Sequence, residues 1–176
     1  MTNYSAERFD PKLHRPVGLS LLFDGWFLSF KNGPTTKLWD AYSGKPINGE
    51  LLYTVERQKK KGEGPIPEGT YWINPAEFHD NRPAAYWNDF IDDGAGDAHL
   101  NSWGKHRITI HPFTTTETFG RGGFFLHGGS TPGSAGCIDV LDKISEVRTL
   151  IEEAAEPHGT GCQIHLKVDY TQKNAK

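Results

Sequence analysis

Turn-forming residues interrupt this chain so often that one long helix is the most it can hold. Twenty glycines and eleven prolines fall among 176 residues, and both types end helices and strands. Only Asp142 to Glu156 sustains a helical period. There Ile144, Val147, Leu150, Ile151, Ala154 and Ala155 share a face, acidic residues sit near the start, and Pro157 follows the end. Elsewhere, short apolar runs lie between turns. Leu19–Phe23 and Trp26–Phe30 flank Asp24-Gly25, a hairpin signal, and Thr36–Ala41 adds a strand. Leu51–Glu56, Thr70–Asn74, Arg107–His111 and Gln163–Val168 are further strand candidates. Pro75 to Ser102 has no period and reads as an irregular insertion of the kind that shapes a cleft. The expected fold class is mainly β with one principal α-helix (α+β), in a single domain over 1–176. Residues 1–16 form an extended N-terminal segment and 169–176 a flexible tail.

Charge and hydropathy remove several function classes. A net charge of -3 leaves no electrostatic footprint for nucleic acid. Lys59-Lys60-Lys61 is interleaved with Glu56, Glu63 and Glu68 and reads as a solvated loop. No segment approaches the ~18 consecutive apolar residues of a membrane helix. His106 and His111 fall on opposite faces of a strand, and no His/Cys cluster has zinc spacing, so no metal or cofactor is expected. Glu7, Arg8, Asp10 and Lys12 precede any apolar run, which is not a secretory signal. The expectation is synthesis in the cytoplasm; for a target outside it, either a signal has been removed or export uses a route that needs none.

The chemistry concentrates in one run, Phe124-Phe125-Leu126-His127-Gly128-Gly129-Ser130-Thr131-Pro132-Gly133-Ser134-Ala135-Gly136-Cys137-Ile138-Asp139. A thiol attacks a carbonyl as thiolate, and a free cysteine, with pKa ~8.5, is mostly protonated at neutral pH. A nearby imidazole can take that proton and return it to a leaving amine. Gly136 lets the backbone pass close to a substrate and present N–H groups to an oxyanion. Cys137 is therefore the candidate nucleophile and His127 its base. Gly136, Ser134 and Gly128 are supporting or oxyanion candidates, although Ser134 and Ser130 could equally satisfy turn amides. Cys162 reads as a core residue. A Cys137–Cys162 disulfide would disable the nucleophile. The helix beginning at Asp142 would lower the thiol pKa if its N-terminus points at the sulfur.

This run resembles the L,D-transpeptidase family of peptidoglycan enzymes, whose signature is His-Gly at a strand end, a loop, then Ser-His-Gly-Cys-hydrophobic-Arg or Asn. His127-Gly128, Ser134, Gly136, Cys137 and Ile138 match it. Ala135 replaces the second histidine, Asp139 replaces Arg or Asn, and the His-to-Cys span of ten positions is short for the family. The compact form is similar to a branch that includes L,D-transpeptidase-like toxins delivered by type VI secretion. Gly64–Tyr71 and Trp103–Pro112 resemble the segments that lead into the family's active site, and the likeness covers Leu19 to Val168.

The resemblance implies a catalytic-domain-like β-sandwich and an L,D-transpeptidase or L,D-carboxypeptidase acting on stem peptides in the periplasm of target bacteria. Arg107, Arg121 and Trp103 are candidates for holding substrate, since stem peptides carry carboxylates. The partners implied are peptidoglycan stem peptides, a cognate periplasmic immunity protein and type VI secretion spike components. The alternatives are a housekeeping enzyme forming 3-3 cross-links, a cysteine amidase or peptidase of other target, and a non-catalytic wall-binding module.

Overall fold

The computed structural model describes residues 16, 18–81 and 103–175. Most of the expected N-terminal segment, and residues 82–102 of the irregular insertion, lie outside these. Nine strands form one curled sheet. They are β1 (Leu19–Phe23), β2 (Phe27–Asn32), β3 (Thr35–Asp40), β4 (Gly69–Ile73), β5 (His79–Asp80), β6 (His106–Pro112), β7 (Phe124–His127), β8 (Ile138–Asp139) and β9 (Ile164–Val168). Their order is β3-β2-β1-β9-β4-β6-β7-β8, with β5 on the flank of β6. Tyr42, just past β3, exchanges two backbone hydrogen bonds with Asp139 of β8, at 2.9 and 2.8 Å. The last strand thereby meets the end of the first, and the sheet closes around its core.

The pleat decides what lies inside. Leu21, Phe30, Leu166, Tyr71, Ile110, Phe124 and Leu126 occupy successive strands on the buried face. The principal helix, α2 (Ile144–Ala155), contributes Ile144, Val147, Ile151 and Ala155 to the same core and packs across β6. Leu150 and Ala154 lie partly buried beside them. Ile144, Val147 and Ile151 each contribute about 1.5–3 kcal/mol by full burial. The helix begins later than the period suggests, because Leu141–Lys143 forms a separate 3-10 turn.

Two readings of the sequence differ from the structure. Leu51–Glu56 is not a strand. Thr54 caps a short helix, α1 (Val55–Gln58), by accepting a hydrogen bond from the Arg57 N–H, a local bond that competes with strand pairing. The Gln58 side chain then turns inward to the Tyr53 carbonyl and the Glu68 N–H. The stretch from 169 is also no loose tail. Tyr170 is fully buried, its hydroxyl donates to the Ile66 carbonyl, and helix α3 (Thr171–Asn174) follows. Lys59, Lys60 and Lys61 are exposed, as a solvated loop requires.

Candidate active site

β7 and β8 run parallel, with Leu126 opposite Ile138 and His127 opposite Asp139. Leu126 and Ile138 point into the core, so His127 and Asp139 share the other face. Cys137 immediately precedes β8. Its sulfur is hydrogen-bonded by the Phe125 backbone N–H and by the Ser134 side chain, which fixes it against β7 two residues before His127. Cys137, two residues before Asp139, therefore falls on the same side of the β7–β8 junction as His127.

The imidazole is held from behind. His127 Nδ1 bonds the carbonyl of Gly128. A carbonyl only accepts, so Nδ1 carries the hydrogen and Nε2 of the neutral ring is the basic nitrogen. Nε2 is buried with no hydrogen-bond partner among the described residues. Gly128, a supporting or oxyanion candidate, holds the ring through its carbonyl, and its N–H donates to the Trp103 carbonyl at 3.2 Å. A Cβ at Gly128 would lie 2.5 Å from the Leu141 carbonyl oxygen and 2.6 Å from Ile144 Cγ2, so no larger residue fits there.

Burial sets the protonation state. The Cys137 thiol is pushed up to about 11 by burial, against the opposing bonds from Phe125 and Ser134. Burial also lowers His127 to about 4, with the Gly128 bond opposing and the Arg107 charge adding. At rest the thiol and the imidazole are therefore each neutral. The expected lowering by a helix N-terminus does not prevail, because desolvation of a side chain 3 % exposed dominates and α2 starts only at Ile144. Cys162 is buried in the core, and both cysteines are free thiols.

Arg107 and Trp103 join the base. Arg107 is opposite His127 in register, and its guanidinium lies 5.6 Å from the ring centres of both Trp103 and Phe125. The Trp103 ring is 4.8 Å from that of His127. Arg121 sits on the other side of the nucleophile, with its guanidinium donating to the backbone carbonyls of Gln58, Pro65 and Gly64. Its donors tie the 58–65 loop to the segment that leads into β7.

Gly136 explains itself by this packing. Its φ is +82°, and an added Cβ would lie 2.8 Å from Arg121 Nη2 and 3.2 Å from the Phe124 ring. The left-handed backbone alone costs an L-residue roughly 1–2 kcal/mol. Under the acyltransferase function proposed below, Gly136→Ala should lower kcat/KM by about tenfold or more, because the loop must shift to make room and carries Cys137 with it. Steady-state kinetics on purified protein that keeps its thermal midpoint within a few degrees checks this. An alanine variant of unchanged rate would show that the loop tolerates the displacement.

Asp139 was noticed in the sequence only as a departure from a familiar motif. Its carboxyl is fully buried and raised to about 6 by burial, against bonds from the Leu141 and Gly133 backbone. Its parity with Cys137, two residues away, was the available signal that it shares the nucleophile's face. Among the described residues no three His, Cys, Asp or Glu side chains gather as a metal site, and no helix is long and apolar enough to cross a membrane.

A family model described as the Tlde1 domain matches residues 37–157, which takes in every site residue above. No curated protein matches the chain.

Proposed function

The chain belongs to the Tlde1 domain family, a family of type VI secretion effector domains, and on that premise we propose that it is a cysteine acyltransferase of the L,D-transpeptidase type acting on peptidoglycan stem peptides. The observation that carries the reading is the junction of β7 and β8. It carries His127, whose Nδ1 is held by a carbonyl and whose Nε2 has no hydrogen-bond partner among the described residues, and, next to β8, the buried Cys137, whose sulfur is bonded from β7. The likeness of the curled sheet to an L,D-transpeptidase sandwich belongs to the same proposal, as do a cognate immunity protein and the secretion spike as partners.

The reaction follows from the neutral pair. His127 Nε2 takes the Cys137 proton as Sγ bonds the carbonyl carbon between the third stem residue and the terminal D-alanine. The carbonyl oxygen becomes an oxyanion held by backbone N–H groups at Gly136 and Cys137. Collapse breaks the C–N bond, the imidazolium returns its proton to the departing amine, and D-alanine leaves. The thioester passes to water, to a free D-amino acid or to the amine of a second stem. Arg107, beside Trp103, offers its charge to a substrate carboxylate.

Mass spectrometry of purified tetrapeptide muropeptides after incubation tests this. Loss of one alanine identifies a carboxypeptidase, replacement of the terminal residue an exchange, and a dimer a cross-link. No change on any muropeptide overturns the enzyme reading.

The base also has a pH signature. NMR titration should find the His127 ring neutral at about pH 5.5, where an ordinary imidazole is mostly protonated. The unfolded chain binds that proton at about 6.5 and the folded one only near 4. His127 thus contributes stability that is present above about 6.5 and lost as pH falls toward the folded value. A ring that titrates at 6.5 in the folded protein would contradict the buried, neutral base.

A further inference from the structure

We propose that Asp139 is a positioning residue of this site, its carboxyl group pinning to one point the loop that carries Cys137 and the turn that backs His127. The inference rests on the acyltransferase reading and concerns how that site is assembled.

The bonds radiate from one buried side chain. Asp139 Oδ1 accepts the Leu141 N–H at 2.8 Å, and the Gly133 backbone N–H also bonds the carboxyl group. Gly133 lies in the nucleophile loop, four residues before Cys137 and next to Ser134, which bonds the sulfur. Leu141 is held at φ +53°, a left-handed conformation uncommon for leucine. Its carbonyl accepts the Gly129 N–H at 3.3 Å, and the neighbouring Val140 N–H donates to the His127 carbonyl at 2.9 Å. The carboxyl group therefore holds Gly133 on one side and, through Leu141, the His127-Gly128-Gly129 segment on the other.

The backbone of Asp139 adds a third tie. Its N–H and carbonyl pair with Tyr42 across the seam where the sheet closes. Gly44, two residues on, donates to the Ser134 carbonyl at 2.8 Å, so the same seam also supports the nucleophile loop. A residue with three such duties must keep an acceptor at the Oδ1 position. Its charge is not what the bonds require, since the donors are neutral backbone amides. Oδ2 makes no hydrogen bond among the described residues, which fits a side chain kept for one oxygen.

Three variants separate placement from charge. Asp139→Asn keeps an acceptor at the same distance without the charge. Asp139→Glu keeps the charge and moves the acceptor by one methylene, and Asp139→Ala removes both. We expect kcat on a tetrapeptide muropeptide to fall roughly thirtyfold or more in Asp139→Glu and Asp139→Ala, with KM within about twofold, and to recover to within about fivefold of wild type in Asp139→Asn. Amide hydrogen exchange at Gly133 and Leu141 should be slow in wild type and Asp139→Asn and at least about tenfold faster in the other two.

Asp139→Glu retaining full rate, or Asp139→Asn losing as much as Asp139→Ala while both amides stay protected, would overturn the proposal. Should Asp139→Ala not fold, the Asn and Glu pair carries the comparison. A wild-type protein inert on every muropeptide would refute the acyltransferase reading alone. Amide exchange and the rate of Cys137 alkylation by iodoacetamide need no substrate, and would still show whether Asp139 holds the two loops.

Discussion

Cys137→Ala and His127→Ala should each reduce turnover of a tetrapeptide stem by about a thousandfold or more, to the background of the uncatalysed reaction, while the fold survives. The thiol supplies the only atom that bonds the acyl group in the proposed route, so its loss leaves no covalent path. The imidazole matters as much because the thiol is raised to about 11 by burial. At neutral pH about one molecule in ten thousand would hold a thiolate without help, since each pKa unit is a factor of ten. A base that removes the proton during attack recovers most of that factor. The two residues act as one unit, so the double variant should be no slower than either single one. Alanine removes a buried polar group in both cases, and circular dichroism with a thermal melt separates misfolding from lost chemistry. A Cys137→Ala protein that keeps most of the wild-type rate would rule out the covalent mechanism.

Much of this architecture was legible in the residues because one principle governed each legible part. The hairpin at Asp24-Gly25 and the stripe of Ile144, Val147 and Ile151 are local patterns that burial enforces. Leu51–Glu56 misled because its apolar residues match a strand, whereas the Thr54 cap acts over three residues and favours a turn of helix. Tyr170 looked like the start of a tail because nothing in the sequence shows that Ile66, 104 positions earlier, offers it a carbonyl. The same limit applies to the site. The spacing of His127 and Cys137 in a glycine-rich loop marks them as candidates. The orienting group was not legible, because it is the Gly128 carbonyl, which every residue type carries. Nor was the role of Arg121, since a guanidinium bound to three backbone carbonyls leaves no sequence signature. The protonation state depended on how deeply the loop is buried, which a motif does not report.

Expression directed to the periplasm of a susceptible bacterium should be lethal or strongly growth-arresting, and the same chain kept in the cytoplasm should be harmless. The argument runs through the location of the proposed substrate. Mature stem peptides lie outside the inner membrane, so an enzyme that trims or caps tetrapeptides meets them only there. Removing the terminal D-alanine, or exchanging it, consumes the donors that 3-3 cross-linking uses, and a growing wall then loses strength. The family's type VI secretion setting fits this requirement, because delivery into a neighbour supplies the compartment that synthesis does not. On this proposal sister cells would receive the same protein, and its producers would need an immunity protein in their own periplasm. Covering Cys137 and His127 would be enough to block acyl transfer, and a tight interface places a few buried anchors at its centre. The measurement is growth of one strain carrying four plasmids: wild type and Cys137→Ala, each with and without a fused secretory signal. Killing should appear in the secreted wild type alone, with a muropeptide profile depleted in tetrapeptides or altered at their last residue. Equal toxicity from the cytoplasmic form, or from secreted Cys137→Ala, would refute a wall-directed, thiol-dependent toxin.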